Sequence, residues 1–144
     1  MSLVLASQHA GIEQVVSCSQ GEHMKSRAGA LIGELEQAGI PVVCFDQVRR
    51  PVGLAERWSM SPAQVPWIRR HVHEFDAVHV HGIWNVGAFS GLGFASRRGV
   101  PVVVTAHESL TSVDIDTSRS RLRRLQKLVL KSAYLRWTTL FVLT

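Results

Sequence analysis

The chain has 144 residues, 46% apolar and 19% charged, a mixture suited to a globular core and unlike that of a disordered or fibrous protein. Its net charge of +5 is local: residues 119–144 hold seven basic side chains and no acidic one, while the other 118 hold nine basic and eleven acidic. The basicity therefore belongs to one segment, which argues against a domain built to bind nucleic acid.

In chain order, residues 2–10 read as a helix, without the basic start and long apolar stretch of a secretory leader. A doubly wound fold normally begins with its central strand and a glycine-rich turn, so a strand is expected in front of this helix. Residues 13–18 and 41–45 read as strands around a helix-length segment, with Cys18 and Cys44 at strand ends. Those thiols suit small buried hydrophobes in a reducing cytoplasm, since no Cys-x-x-Cys spacing exists. Residues 46–66 read as a surface loop with a short helix, anchored by Trp58 and Trp67, before Ser61 and Pro62 start the next helix.

Strands follow at 77–81, 102–106 and 140–143, separated by a small-residue helix over 86–98 and a basic helix over 119–136. Residues 77–96 form the longest stretch free of Lys, Arg, Asp and Glu, but His79, His81 and Asn85 interrupt it, so it does not read as a membrane span. Gly11, Gly39 and Gly99 each close a helix shortly before a strand, and Pro41 and Pro101 open strands. The phrases Gly39-Ile40-Pro41-Val42-Val43 and Gly99-Val100-Pro101-Val102-Val103 repeat one device: helix end, turn, buried strand. The expected fold class is α/β, a parallel sheet flanked by helices in a single domain over 1–144. The last strand ends abruptly at Thr144, so both ends look truncated.

Ligands of an open parallel sheet bind at the carboxyl ends of its strands. Two strands end in titratable residues: His79 and His81 before Gly82, and His107, Glu108 and Ser109 after Thr105. His79 and His81, two apart, share a face of the sheet. His79 reads as a buried, hydrogen-bonded imidazole under a helix; His81 fits a core or a cleft equally. His107 is the strongest single candidate, because an imidazole titrates near neutrality and can bond an acceptor hydroxyl.

His71, His73, His79 and His81 put four imidazoles within eleven residues. Helical i, i+2 positions diverge by about 200°, and the first pair lies at the other end of the strand, so no metal site is expected. Gly87, Gly91 and Gly93 fit close packing of their helix on the sheet better than a dinucleotide fingerprint. In the basic helix, Leu122, Leu125, Val129 and Ala133 recur at helical spacing, with most charges on the remaining faces. That segment is a solvated helix or a patch for anionic lipid or a lipid-linked pyrophosphate, carried by Arg119, Arg121, Arg123, Arg124 and Lys127.

The run Asp76-Ala77-Val78-His79-Val80-His81-Gly82-Ile83-Trp84 resembles the N-terminal, acceptor-side domain of family 4-type glycosyltransferases, the two-domain GT-B enzymes. The likeness continues through Arg97-Arg98-Gly99-Val100-Pro101-Val102-Val103-Val104-Thr105-Ala106-His107 to Lys127 and Leu140-Phe141-Val142-Leu143-Thr144. It implies a Rossmann-like fold and a retaining transfer of sugar from a nucleotide donor to a saccharide or lipid-linked acceptor, in polysaccharide or glycolipid biosynthesis. By this resemblance His107 borders the reaction centre, and His81, Gly82, Trp84, Asn85, Glu108 and Ser109 shape the acceptor side. Glu108 departs from the glycine the family often has there.

The family's glycine-rich donor loop would precede Ser2, and no two Glu residues here have the E-x7-E spacing of its nucleotide-sugar domain. The resemblance thus implies that this chain binds no cofactor, that the complete enzyme takes a nucleotide-sugar donor, and that a C-terminal donor domain is a missing partner. It implies a cytoplasmic location, peripheral at most on the inner face of a membrane. The alternative reading is a non-catalytic module that pairs with a separate donor domain or docks on anionic lipid.

Overall fold

The computed structural model describes residues 2–21, 25–48, 59–105 and 121–142. Five helices and five strands alternate among them: α1 (Ser2–His9), β1 (Val16–Gln20), α2 (Lys25–Gln37), β2 (Val42–Asp46), α3 (Gln64–His71), β3 (Val78–His81), α4 (Val86–Arg97), β4 (Val102–Thr105), α5 (Arg121–Trp137) and β5 (Leu140–Val142). Every strand pairing is parallel, as helical crossovers between strands require. The strands form two sheets, β1-β2 and β3-β4-β5, and the chain divides into two compact units, Met1–Val65 and Pro66–Thr144.

The helix-to-strand junctions show why the repeated phrase works. Gly39 and Gly99 take φ of 77° and 72°, the left-handed region that a Cβ disfavours. The N–H of the next residue then reaches back across the helix end, Ile40 to Leu35 O at 2.9 Å and Val100 to Ala95 O at 3.0 Å. Carbonyls that the helix would leave unpaired are satisfied in this way. The prolines that follow keep their carbonyls in use: Pro41 O accepts from Val16 N and Pro101 O from Val78 N, both at 2.9 Å. Each proline therefore opens a strand while its neighbour strand supplies the donor.

In the first unit β1 and β2 run in register, with Cys18 opposite Cys44. Burial, aided by the hydrogen bond and charge of Cys44, pushes the Cys18 thiol up to about 12. β1 starts three residues and ends two residues later than the apolar run at 13–18 predicts, and Ile12 and Val15 are exposed. Ladder pairing starts where Val16 meets Pro41, so the partner strand sets the boundary.

The second unit has the larger core: Ile68 and Val72 from the α3 segment, Val80, Ile83, Leu92, Ala95, Val102, Val104 and Tyr134. Trp67 packs against it as an anchor; Trp58 lies outside the described residues. Gly91 lies buried on α4, where an added Cβ would sit 3.9 Å from Val78 Cγ1 and Val80 Cγ2 of β3. Gly93 faces Trp137 of α5 instead, at 3.8 Å.

Of the residues its spacing nominates, α5 leaves two exposed and Ala133 half-buried, and the side chain of Leu122 lies outside the described residues. Leu125 and Val129 are exposed, while Tyr134 is wholly buried and Trp137 packs at the core margin. The tyrosine outcompetes the leucines because its ring fills the core and its hydroxyl finds a buried carbonyl there.

Candidate functional site

β3 and β4 end together: His81 stands opposite Thr105 in the register, so both strands leave the sheet at the same edge. His79 and His81 project from one face of β3, ring centroids 4.1 Å apart and tilted by 32°. Both are exposed. The expectation that His79 is buried under a helix is thus corrected, although its hydrogen bond exists. His79 Nε2 lies 2.9 Å from the hydroxyl of Thr105, a buried residue, with the direction of that bond following the imidazole tautomer. By sequence Thr105 stands at a strand end, but its pairing with His79 follows only from the register of β3 against β4.

The chain turns sharply after His81. Gly82 adopts φ of 67°, and its N–H donates to Thr105 O at 3.0 Å. An added Cβ there would meet no described atom within 4 Å, so the conformation, not crowding, calls for glycine. Ile83 is buried, and its carbonyl accepts a 2.9 Å hydrogen bond from the hydroxyl of Tyr134 on α5. Burial pushes the Tyr134 phenol well above its ordinary range, so it remains a donor at neutral pH.

Trp84 is half-buried against the core, with Lys127 Nζ 5.3 Å from its ring centroid, within cation–π range. Lys127 therefore sits beside the turn after β3. Asn85 caps α4: its Oδ1 accepts from Ala88 N at 2.7 Å. The loop 82–85 is consequently held at both ends by bonds that a sequence pattern does not display.

His107, Glu108, Ser109 and Arg119 lie outside the described residues, as do the side chains of Arg121 and Arg123. Arg124 is exposed on α5. His71 is engaged with Glu74 at 3.0 Å, away from His79 and His81 in the chain. Among the described residues no three His, Cys, Asp or Glu side chains gather as a metal-binding group. A cavity of about 280 Å³ touches Ser96, Pro101, Arg136 and Thr139, at the opposite edge of the same sheet from His81.

Parallel strands whose adjacent carboxyl ends carry exposed imidazoles and a glycine turn form a rim that can offer hydrogen bonds to a polyhydroxylated ligand. The family model of the glycosyl transferase 4-like domain matches residues 1–143. The chain belongs to this glycosyltransferase family. Its Rossmann-like α/β pattern fits that membership, and the match spans both compact units. No curated protein matches the sequence. Among the described residues of this glycosyl transferase 4-like domain, no helix is long and apolar enough to cross a membrane.

Proposed function

We propose that the chain forms the acceptor-binding wall of a retaining glycosyltransferase. The enzyme moves a hexosyl group from a nucleotide sugar to a saccharide or lipid-linked acceptor, in polysaccharide or glycolipid assembly at the cytoplasmic face of a membrane. A nucleotide-sugar-binding domain supplies the opposite wall of the cleft and the donor. The observation that carries this reading is the shared carboxyl edge of β3 and β4 in a chain of this family, where His81 stands exposed opposite Thr105.

The roles follow from position. His81 bonds an acceptor hydroxyl, because an imidazole can donate or accept at neutral pH. Gly82 lets the acceptor approach the backbone, and Trp84 and Asn85 hold the loop beside it. For His107, two residues beyond Thr105 in the chain, the family resemblance supports a place bordering the reacting centre, with Glu108 and Ser109 contacting the acceptor. Closure of both walls then aligns donor and acceptor, which is where such an enzyme gains most of its rate.

Saturation-transfer NMR on the purified chain with short saccharides and a pyrophosphate-linked sugar tests the acceptor wall. Binding is expected, and His81→Ala should weaken it by about three- to tenfold, the worth of one hydrogen bond. Saccharide binding indifferent to both His81→Ala and His107→Ala, or no binding at all, would overturn the assignment.

A further inference from the structure

The second unit gathers positive charge at a place the acceptor rim does not use. A cavity of about 410 Å³ lies between the end of α3 and the end of α4, and its described lining is Arg69, Phe94, Arg97 and Arg98. The three arginines are exposed, and Phe94 is half-buried against the core. α4 starts beyond the carboxyl end of β3 and returns to the start of β4, so the cavity stands at the opposite edge of the sheet from His81.

Local structure leaves these guanidiniums unengaged. Cations near a helix C-terminus ease its dipole, yet backbone donors already close α4: Arg98 N–H bonds Ala95 O at 3.0 Å, Gly99 N–H bonds Ser96 O at 3.2 Å, and Val100 N–H bonds Ala95 O at 3.0 Å. Among the described residues none of the three guanidiniums pairs with a carboxylate. Glu74, the acidic residue nearest to Arg69 in the chain, is engaged by His71 at 3.0 Å. Arg97 Cζ lies 5.9 Å from the Trp137 ring centroid, a contact with the face of the ring that uses no N–H donor. Like charges around one space repel each other, and an anion placed there relieves the repulsion.

The lining also indicates which anion. Guanidinium forks match phosphate oxygens in bidentate fashion, and three of them exceed what one carboxylate neutralises and suit the charge of a diphosphate. The volume is that of a small-molecule site, and Phe94 offers an apolar wall for an organic group carried by the ligand. We propose that Arg69, Arg97 and Arg98 form a binding site for a small diphosphate, either inorganic pyrophosphate or a nucleoside diphosphate. This inference rests on α3 and α4 alone and not on the transferase reading.

Calorimetric titration of the full chain with pyrophosphate, phosphate, sulfate and uridine diphosphate tests it. Pyrophosphate should bind at least about tenfold more tightly than phosphate or sulfate, with affinity falling as salt rises. Arg69→Gln and Arg98→Gln should each weaken pyrophosphate about tenfold, the worth of one charge-assisted bond. Arg69→Lys should weaken it about threefold, since the charge stays and the fork is lost. Arg70→Gln removes an exposed charge one residue away, outside the described lining, and should change affinity less than about twofold. Tighter binding of uridine diphosphate than of pyrophosphate would identify a nucleoside ester as the ligand; equal binding would identify the bare diphosphate. The substituted side chains are exposed, so melting temperatures should hold; if one glutamine variant unfolds, the other decides. No pyrophosphate binding, phosphate or sulfate binding as tightly as pyrophosphate, or binding indifferent to both glutamine variants would overturn the proposal. So would pyrophosphate binding that falls with His81→Ala, which would place the diphosphate at the acceptor rim.

Discussion

Replacing Tyr134 with phenylalanine isolates one hydroxyl. Tyr134 and Ile83 are 0% and 1% exposed, and the 2.9 Å bond between them joins α5 to the turn after β3. Phenylalanine keeps the ring and its packing against Phe89, whose centroid lies 6.1 Å away, so no cavity opens. What is lost is the hydrogen bond, about 1 kcal/mol net, and what remains is a buried carbonyl without its partner, which raises the cost to about 1–3 kcal/mol.

Urea denaturation followed by near-ultraviolet circular dichroism measures this. The midpoint should fall while the denaturant slope stays constant, because the surface exposed on unfolding is unchanged. Tyr134→Leu should cost more, about 3–5 kcal/mol, since it removes the hydroxyl and leaves ring-sized space. Hydrogen exchange should then rise first at the amides of Gly82 to Asn85, where the tether acts. If Tyr134→Phe leaves the midpoint unchanged and the turn equally protected, the hydroxyl does not hold the loop and the account of residues 82–85 is wrong.

Other outcomes follow from the same structure. Gly91→Ala should stabilise the chain by about 0.5–1 kcal/mol, as helix propensity predicts, because the new Cβ meets Val78 and Val80 at an ordinary 3.9 Å; a lowered melting temperature would show that α4 packs closer to β3. Asn85→Ala should cost about 1 kcal/mol through loss of the α4 cap, whereas Asn85→Asp should retain it; thermal unfolding of both variants separates the cap from other losses. Cys18 is held protonated, its pKa raised from 9.0 to about 12 by burial and by Cys44. A raised folded pKa gives stability that is complete below pH 9.0 and lost towards pH 12, so urea midpoints should decline across that window. Cys18→Ala should flatten the decline, and an identical pH profile would refute the assignment of that decline to the half-buried Cys18 thiol.

Much of the fold was legible because it is written locally. A glycine accepting positive φ after a helix, followed by a proline that opens a strand, needs no distant partner to be read. Gly39 and Gly99 accordingly mark the junctions before β2 and β4. Alternation of strand-forming runs with helix-length segments likewise pointed to parallel strands, since only a crossover joins them. The rim was half legible: His79 and His81 had to share a face, because side chains alternate along any strand.

Tertiary structure decided what depends on register and on distance along the chain. The start of β1 follows its pairing with Pro41, not its own apolar run at 13–18. Thr105 meets His79 because β4 lies beside β3 in one register, and Tyr134 meets Ile83 across 51 residues. The facing of α5 was open for a further reason. With apolar residues on two sides, its periodicity favours neither, and only the fit of one tyrosine into a buried site turned Leu125 and Val129 outward. Residue type and spacing specify conformation over a few neighbours; which side is covered depends on the shape and polar groups of whatever packs against it.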